Sequence, residues 1–188
     1  MSYLRKIEYK IVPDKSFSVI HNCPGCKVKT RYINTNHFRV NANGNKLDVW
    51  LIYQCEKCKH TLNLSIFERQ SAGKIPQELY QKFLSNDEEL ANEYGRDFTF
   101  FVKKQVEVDN NNITCSFEDM KGMMVELKEM NYKTGDLISI SNPYGLKLRE
   151  EKLVAMVLGI SRNRVKKLID DGEILVSREN VRLNIEII

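Results

Sequence analysis

Residues 21–60 of this 188-residue chain read HNCPGCKVKTRYINTNHFRVNANGNKLDVWLIYQCEKCKH and decide the fold of its N-terminal part. A Cys-x-x-Cys pair stands near each end of this stretch, with 28 residues between the two pairs. A tight turn across each pair lets both sulfurs reach one ion, and two pairs supply the four soft ligands of a closed tetrahedral site. The pattern therefore predicts one bound zinc ion with these ligands: Cys23, Cys26, Cys55 and Cys58.

A hairpin signal lies between the two cysteine pairs. Asn43-Gly44, a turn pair that tolerates left-handed backbone, separates two segments of strand-like composition. After the second pair, residues 61–67 alternate like a further strand, and Pro24-Gly25 is expected to form the turn of the first pair. Each Cys-x-x-Cys turn is a knuckle in the sense used for zinc sites. The order of knuckle, hairpin, knuckle and strand resembles a zinc ribbon, which implies an antiparallel β-domain over residues 1–70.

Other roles for these residues are weighed against the structural zinc site. A thioredoxin-like redox pair needs a helix after its first cysteine, whereas the residues after Cys26 favour a strand. His21 and His60 each lie two residues from a cysteine and are alternative ligands, expected here to stay outside the site. Four thiolates leave no open position, so the zinc is expected to be structural and not catalytic. Cys115 stands alone and is expected to be a small buried residue.

The composition and charge of the chain predict its cellular compartment and the kind of partner that it binds. The N-terminus lacks the apolar run of a signal peptide and no segment is apolar enough to span a membrane, so we expect a cytoplasmic protein. In a reducing cytosol, paired cysteines are more often metal ligands than disulfides. The formal net charge is +4, distributed as +7 over residues 1–60, −5 over 61–120 and +2 over 121–188. The basic parts suit a polyanionic partner.

The middle segment, residues 71–112, is expected to be helical. One helix begins near Pro76, a second is capped by Asn86 or the residue before it and stopped by Gly95, and a third is capped by Asp97. Its aromatic residues are expected to form core. No Ser/His/Asp set, Gly-rich phosphate loop or HExxH motif occurs in the sequence, so the protein is expected not to be an enzyme.

The C-terminal part is predicted to contain a basic helix pair. One helix ends at Gly159, Ser161 caps the next, and a short strand follows at residues 174–176. In the second helix an apolar face is expected from Val165, Leu168 and Ile169. Four cations without an acidic neighbour fill its first half, where they oppose the helix dipole: Arg162, Arg164, Lys166 and Lys167. A phosphate partner would explain them, and a merely solvated basic face is the alternative.

Residues 148–176 resemble the small RNA-binding domain named after ribosomal small-subunit protein four. The resemblance is carried by the Leu148-Arg149 start, the Ser161-Arg162 cap, the Leu168-Ile169 pair and Gly172 before the strand. It implies a helix pair packed on a short sheet that binds structured RNA mainly through its backbone. The resemblance also assigns five phosphate contacts: Arg149, Arg162, Arg164, Lys166 and Lys167. The family's closing Gly-Asp strand is not found at its usual place.

The chain as a whole resembles a bacterial family of unknown function, the domain-of-unknown-function ten-sixty-two group. The two cysteine pairs, the segment from Phe38 to Cys55 and the C-terminal helix pair carry this resemblance. It supports the architecture and assigns no activity.

Together these observations predict an α+β protein with a zinc ribbon at 1–70, a helical connector at 71–112 and an RNA-binding-like domain at 113–188. The expected function is non-enzymatic binding of structured RNA by a zinc-stabilised protein. Two alternatives stay open: a DNA-binding regulator that inserts the Ser161–Asp171 helix into the major groove, and a zinc-ribbon adaptor for other proteins. The RNA target and the oligomeric state are left open by the sequence.

Overall fold

A computed structural model describes residues 5–110, 113–127 and 130–188 of the chain. Over these residues the fold is mixed α+β, with two five-stranded sheets and five α-helices, which confirms the expected fold class at that level. A 3₁₀ turn, Ala72–Lys74, precedes the first helix. The elements follow in this order: β1 Arg5–Pro13, β2 Val19–Cys23, β3 Val28–Asn43, β4 Lys46–Cys55, β5 Thr61–Ser71, α1 Gln77–Leu84, α2 Glu88–Arg96, α3 Phe98–Lys103, β6 Glu107–Val108, β7 Cys115–Glu118, β8 Asp136–Ser141, α4 Glu150–Leu158, α5 Arg162–Asp170, β9 Ile174–Glu179 and β10 Arg182–Ile187.

The chain divides into two compact units, and their boundaries differ from the three expected segments. The middle unit is Lys15–Thr114, and the C-terminal unit combines the described residues up to Asp14 with Cys115–Ile188. The helices α1 to α3 belong with the cysteines, because α1 and α2 pack on β3 and α3 packs on β6. Strand β1 belongs to the C-terminal unit, because it pairs with β7 and β8.

The middle unit contains an antiparallel sheet in the order β5-β4-β3-β2-β6. Strands β3 and β4 form the hairpin expected from the sequence. Asn43 pairs with Lys46, so the two-residue loop is Gly44-Asn45, one position later than expected. Gly44 has φ +60, a left-handed conformation that glycine adopts without steric cost.

Aromatic side chains join the helices of this unit to its sheet. The rings of Phe38 on β3 and Phe83 on α1 lie 5.0 Å apart, edge to face. Phe101 on α3 contacts both Phe17 and Tyr53, with ring centroids 6.0 Å from each. All five side chains are buried, so they form core as expected.

The ends of these helices follow local chemistry. Asp87 caps α2, because its carboxylate accepts a hydrogen bond from the helix backbone, and Asn86 instead takes a left-handed φ of 53 just before it. Asp97 caps α3 as expected. Gly95 lies inside α2 and does not stop it. A Cβ at this position would collide with Ser16, so the glycine permits a close approach of the helix to the segment that joins β1 to β2.

The C-terminal unit contains a mixed sheet in the order β7-β1-β8-β10-β9. Strand β1 runs parallel to β8, and β10 pairs antiparallel with both β8 and β9. Helices α4 and α5 pack on each other, and α5 also packs on β9. Strand β10, which the sequence analysis did not predict, follows β9 through the two-residue loop Asn180-Val181. The core of the unit includes these buried side chains: Ile138, Ile140, Val154, Val157, Val165, Leu183 and Ile185.

A buried carboxylate ties β1 to β8. Asp136 is 1% exposed and accepts two hydrogen bonds from the Arg5 guanidinium, at 2.8 and 2.7 Å. The backbone N–H of Lys133 donates a third, at 2.8 Å. The Arg5 hydrogen bond, opposed by burial and aided by the Lys133 amide, lowers the pKa of Asp136. The pair joins residues 131 positions apart in the sequence.

Replacing Asp136 by Asn should destabilise the C-terminal unit by on the order of 1–3 kcal/mol, because a charge-assisted buried hydrogen-bond set is lost. The folded-state pKa of Asp136 lies below its unfolded-state value of about 4. Its contribution is therefore fully present above that unfolded-state value and is lost as the pH falls through the folded-state pKa. Hydrogen exchange of the β1 and β8 amides, at acidic and neutral pH, measures this.

Asp170→Asn is the matched control, since Asp170 is exposed and has no ion pair with any described residue. The control should keep the wild-type acid dependence, whereas Asp136→Asn should lose that part of it. Equal acid dependence in the two variants would contradict the role assigned to Asp136.

Candidate metal centre and basic surface

Two identical backbone turns present the four cysteines. Strand β2 ends at Cys23 and β4 ends at Cys55, and each cysteine opens a Cys-x-x-Cys turn. The residue after each turn is a left-handed lysine, Lys27 with φ 57 and Lys59 with φ 63. The Lys27 amide donates to the Cys23 carbonyl at 2.7 Å, and the Lys59 amide donates to the Cys55 carbonyl at 3.0 Å. The two turns are therefore closed by the same hydrogen bond, from the amide after the turn to the carbonyl of its first cysteine.

The sulfur atoms of the four cysteines lie within 4.8 Å of one another. The Cys23 and Cys58 sulfurs are 3.3 Å apart, and those of Cys26 and Cys55 are 3.8 Å apart. A tetrahedral zinc site with Zn–S bonds of about 2.3 Å has sulfur–sulfur edges of about 3.8 Å. None of the four is in a disulfide. The sequence-predicted ligands thus converge at a spacing that suits one ion.

Gly25 allows the four sulfurs to converge because it has no side chain. A Cβ at Gly25 would lie 2.9 Å from the Cys58 sulfur, closer than real Cβ atoms come. Its backbone is not left-handed, because the left-handed residues of the two turns are Lys27 and Lys59. Pro24-Gly25 lies in the turn of the first pair as expected, and Gly25 is needed there for the space that it leaves beside the second Cys-x-x-Cys turn.

Two hydroxyl groups on β3 form hydrogen bonds with the cysteine sulfurs, and neither was predicted from the sequence. The Thr30 hydroxyl lies 3.3 Å from the Cys55 sulfur, and the Tyr32 hydroxyl bonds to the Cys23 sulfur. Both residues are buried, and they occupy alternate positions on one face of the strand that follows the first pair. A period of two starting four residues after Cys26 is the signal that could have found them.

Hydrogen bonds shift the pKa values of the thiols in different directions. Burial opposes ionisation of Cys23, but hydrogen bonds from Tyr32 and the Cys26 amide outweigh it and lower the pKa of Cys23 to about 6. The hydrogen bond with Cys58, together with burial, raises the pKa of Cys26 to about 12. The Thr30 hydroxyl lowers the pKa of Cys55.

Neither histidine belongs to the cysteine cluster. The His21 ring is exposed and lies edge-on to the Tyr32 ring, with centroids 6.0 Å apart, and its Nδ1 is 2.9 Å from the Asn22 carbonyl. His60 is exposed, and its carbonyl accepts a hydrogen bond from the Cys55 amide. Among the described residues, the potential metal-binding group around these sulfurs consists of the four cysteines.

Helices α4 and α5 lie where the sequence indicated. Gly159 ends α4 with φ +65, and the Ser161 hydroxyl accepts a hydrogen bond from the Arg164 amide at 3.2 Å, which caps α5. The apolar face of α5 is narrower than expected. Val165 is fully buried, but Ile169 is 39% exposed and Leu168 is only half-buried.

The five cations that the sequence assigned to phosphate contact are all exposed. The structure brings four of them together on α5, and Arg149 stands at the start of α4. Arg164 is 3.9 Å from Glu173, a distance typical of a weak surface pair. The remaining four make no ion pair with any residue of 5–110, 113–127 or 130–188: Arg149, Arg162, Lys166 and Lys167.

The family model described as "Protein of unknown function (DUF1062)" matches residues 40–180. The chain belongs to this family. The matched stretch includes Cys55, Cys58 and the helices α4 and α5, whereas the first cysteine pair lies before it. No curated protein and no solved structure matches the chain. Of the described helices, none has the length and apolar character needed to cross a membrane.

Substituting Gly25 by Ala should weaken metal binding by roughly tenfold or more, because the new methyl group forces the Cys58 sulfur away from the other three. Competition titrations with a chromophoric chelator, using Zn²⁺ and Cd²⁺ as probe ions, measure the dissociation constant. Gly73→Ala is the matched control, since no atom lies within 4 Å of a Cβ built there. Equal affinity in the two variants would show that the four sulfurs do not converge on the ion.

Proposed function

We propose that this chain is a zinc-stabilised, non-enzymatic cytosolic protein that binds structured RNA through its C-terminal basic helix pair. The observation that carries the RNA part is the group of four exposed cations on α5, three of which have no ion-pair partner among the described residues. The observation that carries the zinc part is the convergence of four cysteine sulfurs within 4.8 Å.

Zinc suits the cysteine cluster better than other common ions. All four ligands are soft thiolates, which disfavour Mg²⁺ and Ca²⁺, and tetrahedral sets of this kind hold zinc or iron. A four-thiolate zinc ion has no open coordination position, so its role is structural. In a reducing cytosol the thiols stay available to the metal. The strands β2 to β5 with their two knuckles would then form a zinc ribbon.

The surroundings of the cluster support a complex with negative charge. Zinc with four thiolates carries a net charge of about −2. The Thr30 and Tyr32 hydroxyls donate toward the sulfurs, and exposed lysines stand on both turns. Outer hydrogen bonds of this kind typically change metal affinity by about 10–100-fold. They would stabilise the zinc complex without supplying a ligand.

The zinc proposal is tested by metal analysis, which should find one zinc per chain in the wild type. Cys58→Ser should lose the zinc and lower the thermal stability of the middle unit, and Cys58 is exposed, so the change itself does not disturb the core. Cys115→Ser, outside the cluster, should keep both. Thr30→Val and Tyr32→Phe should retain zinc but release it to a chelator about tenfold faster.

A wild type that contains no zinc and is equally stable after chelation would overturn the zinc proposal. Unchanged release rates in both hydroxyl variants would overturn the role of Thr30 and Tyr32 while leaving the zinc in place.

Several features of the C-terminal unit support RNA as the partner. Helices α4 and α5 pack on each other, and α5 packs on β9 of the five-stranded sheet; the resemblance to the ribosomal small-subunit protein four domain implies RNA binding by such a helix pair. Cations in the first half of α5 lie at a helix N-terminus, where the first backbone N–H groups of a helix have no intrahelical partner, so both favour an anion. Such a surface contacts phosphates and gives salt-dependent affinity with little dependence on sequence.

The test compares wild type with the variant Arg162→Ala/Arg164→Ala/Lys166→Ala/Lys167→Ala, using a hairpin RNA and a duplex DNA of the same sequence across salt concentrations. The variant should lose RNA affinity by more than about tenfold, and the slope of log affinity against log salt should shrink by about 3. A control with the same change of charge is Arg69→Ala/Lys74→Ala/Lys103→Ala/Lys121→Ala, which replaces four other exposed cations. It should bind RNA almost as well as wild type.

Binding to neither polymer at low salt would overturn the nucleic-acid proposal and favour the adaptor. Preference for the duplex DNA would favour the DNA-binding regulator instead. Equal losses in the two quadruple variants would show that general charge, and not α5, holds the RNA.

A further inference from the structure

The C-terminal unit contains a cavity of about 290 Å³ beside the start of α4. Its walls come from the segment after β8, from α4 and from the β9–β10 hairpin. The apolar part includes Leu146, Leu153 and Leu183. The volume is near the lower end of small-molecule sites, so it fits one planar group of moderate size and not a helix or a duplex.

The rim of this cavity is cationic. Lys147, Arg178 and Arg182 line it, and none of the described lining residues is acidic. Arg178 is 3.1 Å from Glu150 and Arg182 is 3.6 Å from Glu8. All four of these side chains are at least 30% exposed, and surface pairs of this kind contribute about 0–1 kcal/mol. An anionic ligand can therefore displace the carboxylates at small cost.

An apolar floor below a cationic rim matches the chemistry of a nucleotide, whose base is largely apolar on its faces and whose phosphate is anionic. The lining residue Leu148 directly precedes Arg149, one of the proposed phosphate contacts. Proteins recognise RNA chiefly at unpaired nucleotides, whose bases can be splayed out and packed against side chains. We propose that this cavity holds one unpaired nucleotide of the bound RNA, and this proposal rests on the RNA-binding function proposed above.

The floor is aliphatic, and the Asn142 side chain is already bonded to the backbone of Leu146 at 2.9 Å in both directions. Contacts of this type accept any base face and read no base edge. The cavity therefore selects an unpaired nucleotide over a paired one, with little preference among the four bases.

The experiment uses two hairpin RNAs that differ by a single bulged 2-aminopurine nucleotide, with affinity measured by anisotropy and burial of the base measured by its fluorescence. Wild type should bind the bulged hairpin on the order of tenfold more tightly than the plain hairpin, as expected when the apolar faces of one base are removed from water. The fluorescence should change on binding.

Three variants localise this effect. Val181→Trp fills the cavity, and Val181 is 60% exposed, so the larger side chain does not enter the core. This variant should lose the preference for the bulge and keep its affinity for the plain hairpin. Arg178→Ala should weaken binding of the bulged hairpin, whereas Glu150→Gln frees Arg178 and should strengthen it by up to about fivefold. Lys121→Ala, outside the lining, is the charge control.

Equal affinity for the two hairpins in wild type, together with a loss of both in the α5 quadruple variant, would overturn the pocket and leave the proposed function standing. A bulge preference that survives Val181→Trp would assign the unpaired nucleotide to another surface and also overturn the pocket. Binding to neither hairpin would overturn both proposals.

Discussion

Four cysteine sulfurs within 4.8 Å of one another can all be thiolates only when a cation lies among them, because like charges at this distance disfavour ionisation. Among the thiols, burial is outweighed at Cys23 by hydrogen bonds from the Tyr32 hydroxyl and the Cys26 amide, which lower the pKa of Cys23, whereas the hydrogen bond with Cys58, together with burial, raises the pKa of Cys26. The sheet depends on the same convergence. Cys23 pairs with Val28 and Cys55 pairs with Tyr32, so a slip of either strand would move a sulfur to the opposite face.

The C-terminal unit depends on a contact of a different kind. Its sheet places β1 parallel to β8, and the buried Asp136 carboxylate accepts hydrogen bonds from Arg5 across that pairing. Bringing together Arg5 and Asp136, which are 131 positions apart, costs conformational entropy before any local contact forms. A buried carboxylate is also stable as an ion only with its partner in place. The Arg5–Asp136 pair therefore favours this register of β1 against β8 over others. It also makes the stability of the C-terminal unit sensitive to acid.

Local signals in the sequence predicted the local structure well. The Cys-x-x-Cys pairs, the Gly44 turn, the Ser161 cap and the Gly159 stop each depend on neighbouring residues, and each lies within one residue of its expected place. Two features needed distant partners and were missed: the pairing of β1 and the hydroxyl groups beside the sulfurs. The strand β10 was also missed, although its hairpin with β9 is local. A strand carries no mark of which strand will pair with it, and the division into units follows from that pairing.

Helix α5 shows how charge and packing are related in this fold. Val165 is its one fully buried side chain among the described residues, so only a narrow face of the helix packs against α4 and β9. Its cations repel one another, and Arg162 and Arg164 oppose the dipole at the first turn, whereas Lys167 lies in the last turn, where the dipole favours a cation. The Glu173 contact with Arg164 offsets only part of the cost of the repulsion. The Ser161 cap and the contact with α4 hold the helix against these terms. An anion bound at its N-terminal half would remove the repulsion and satisfy free backbone N–H groups together, so partner binding and helix stability would increase together.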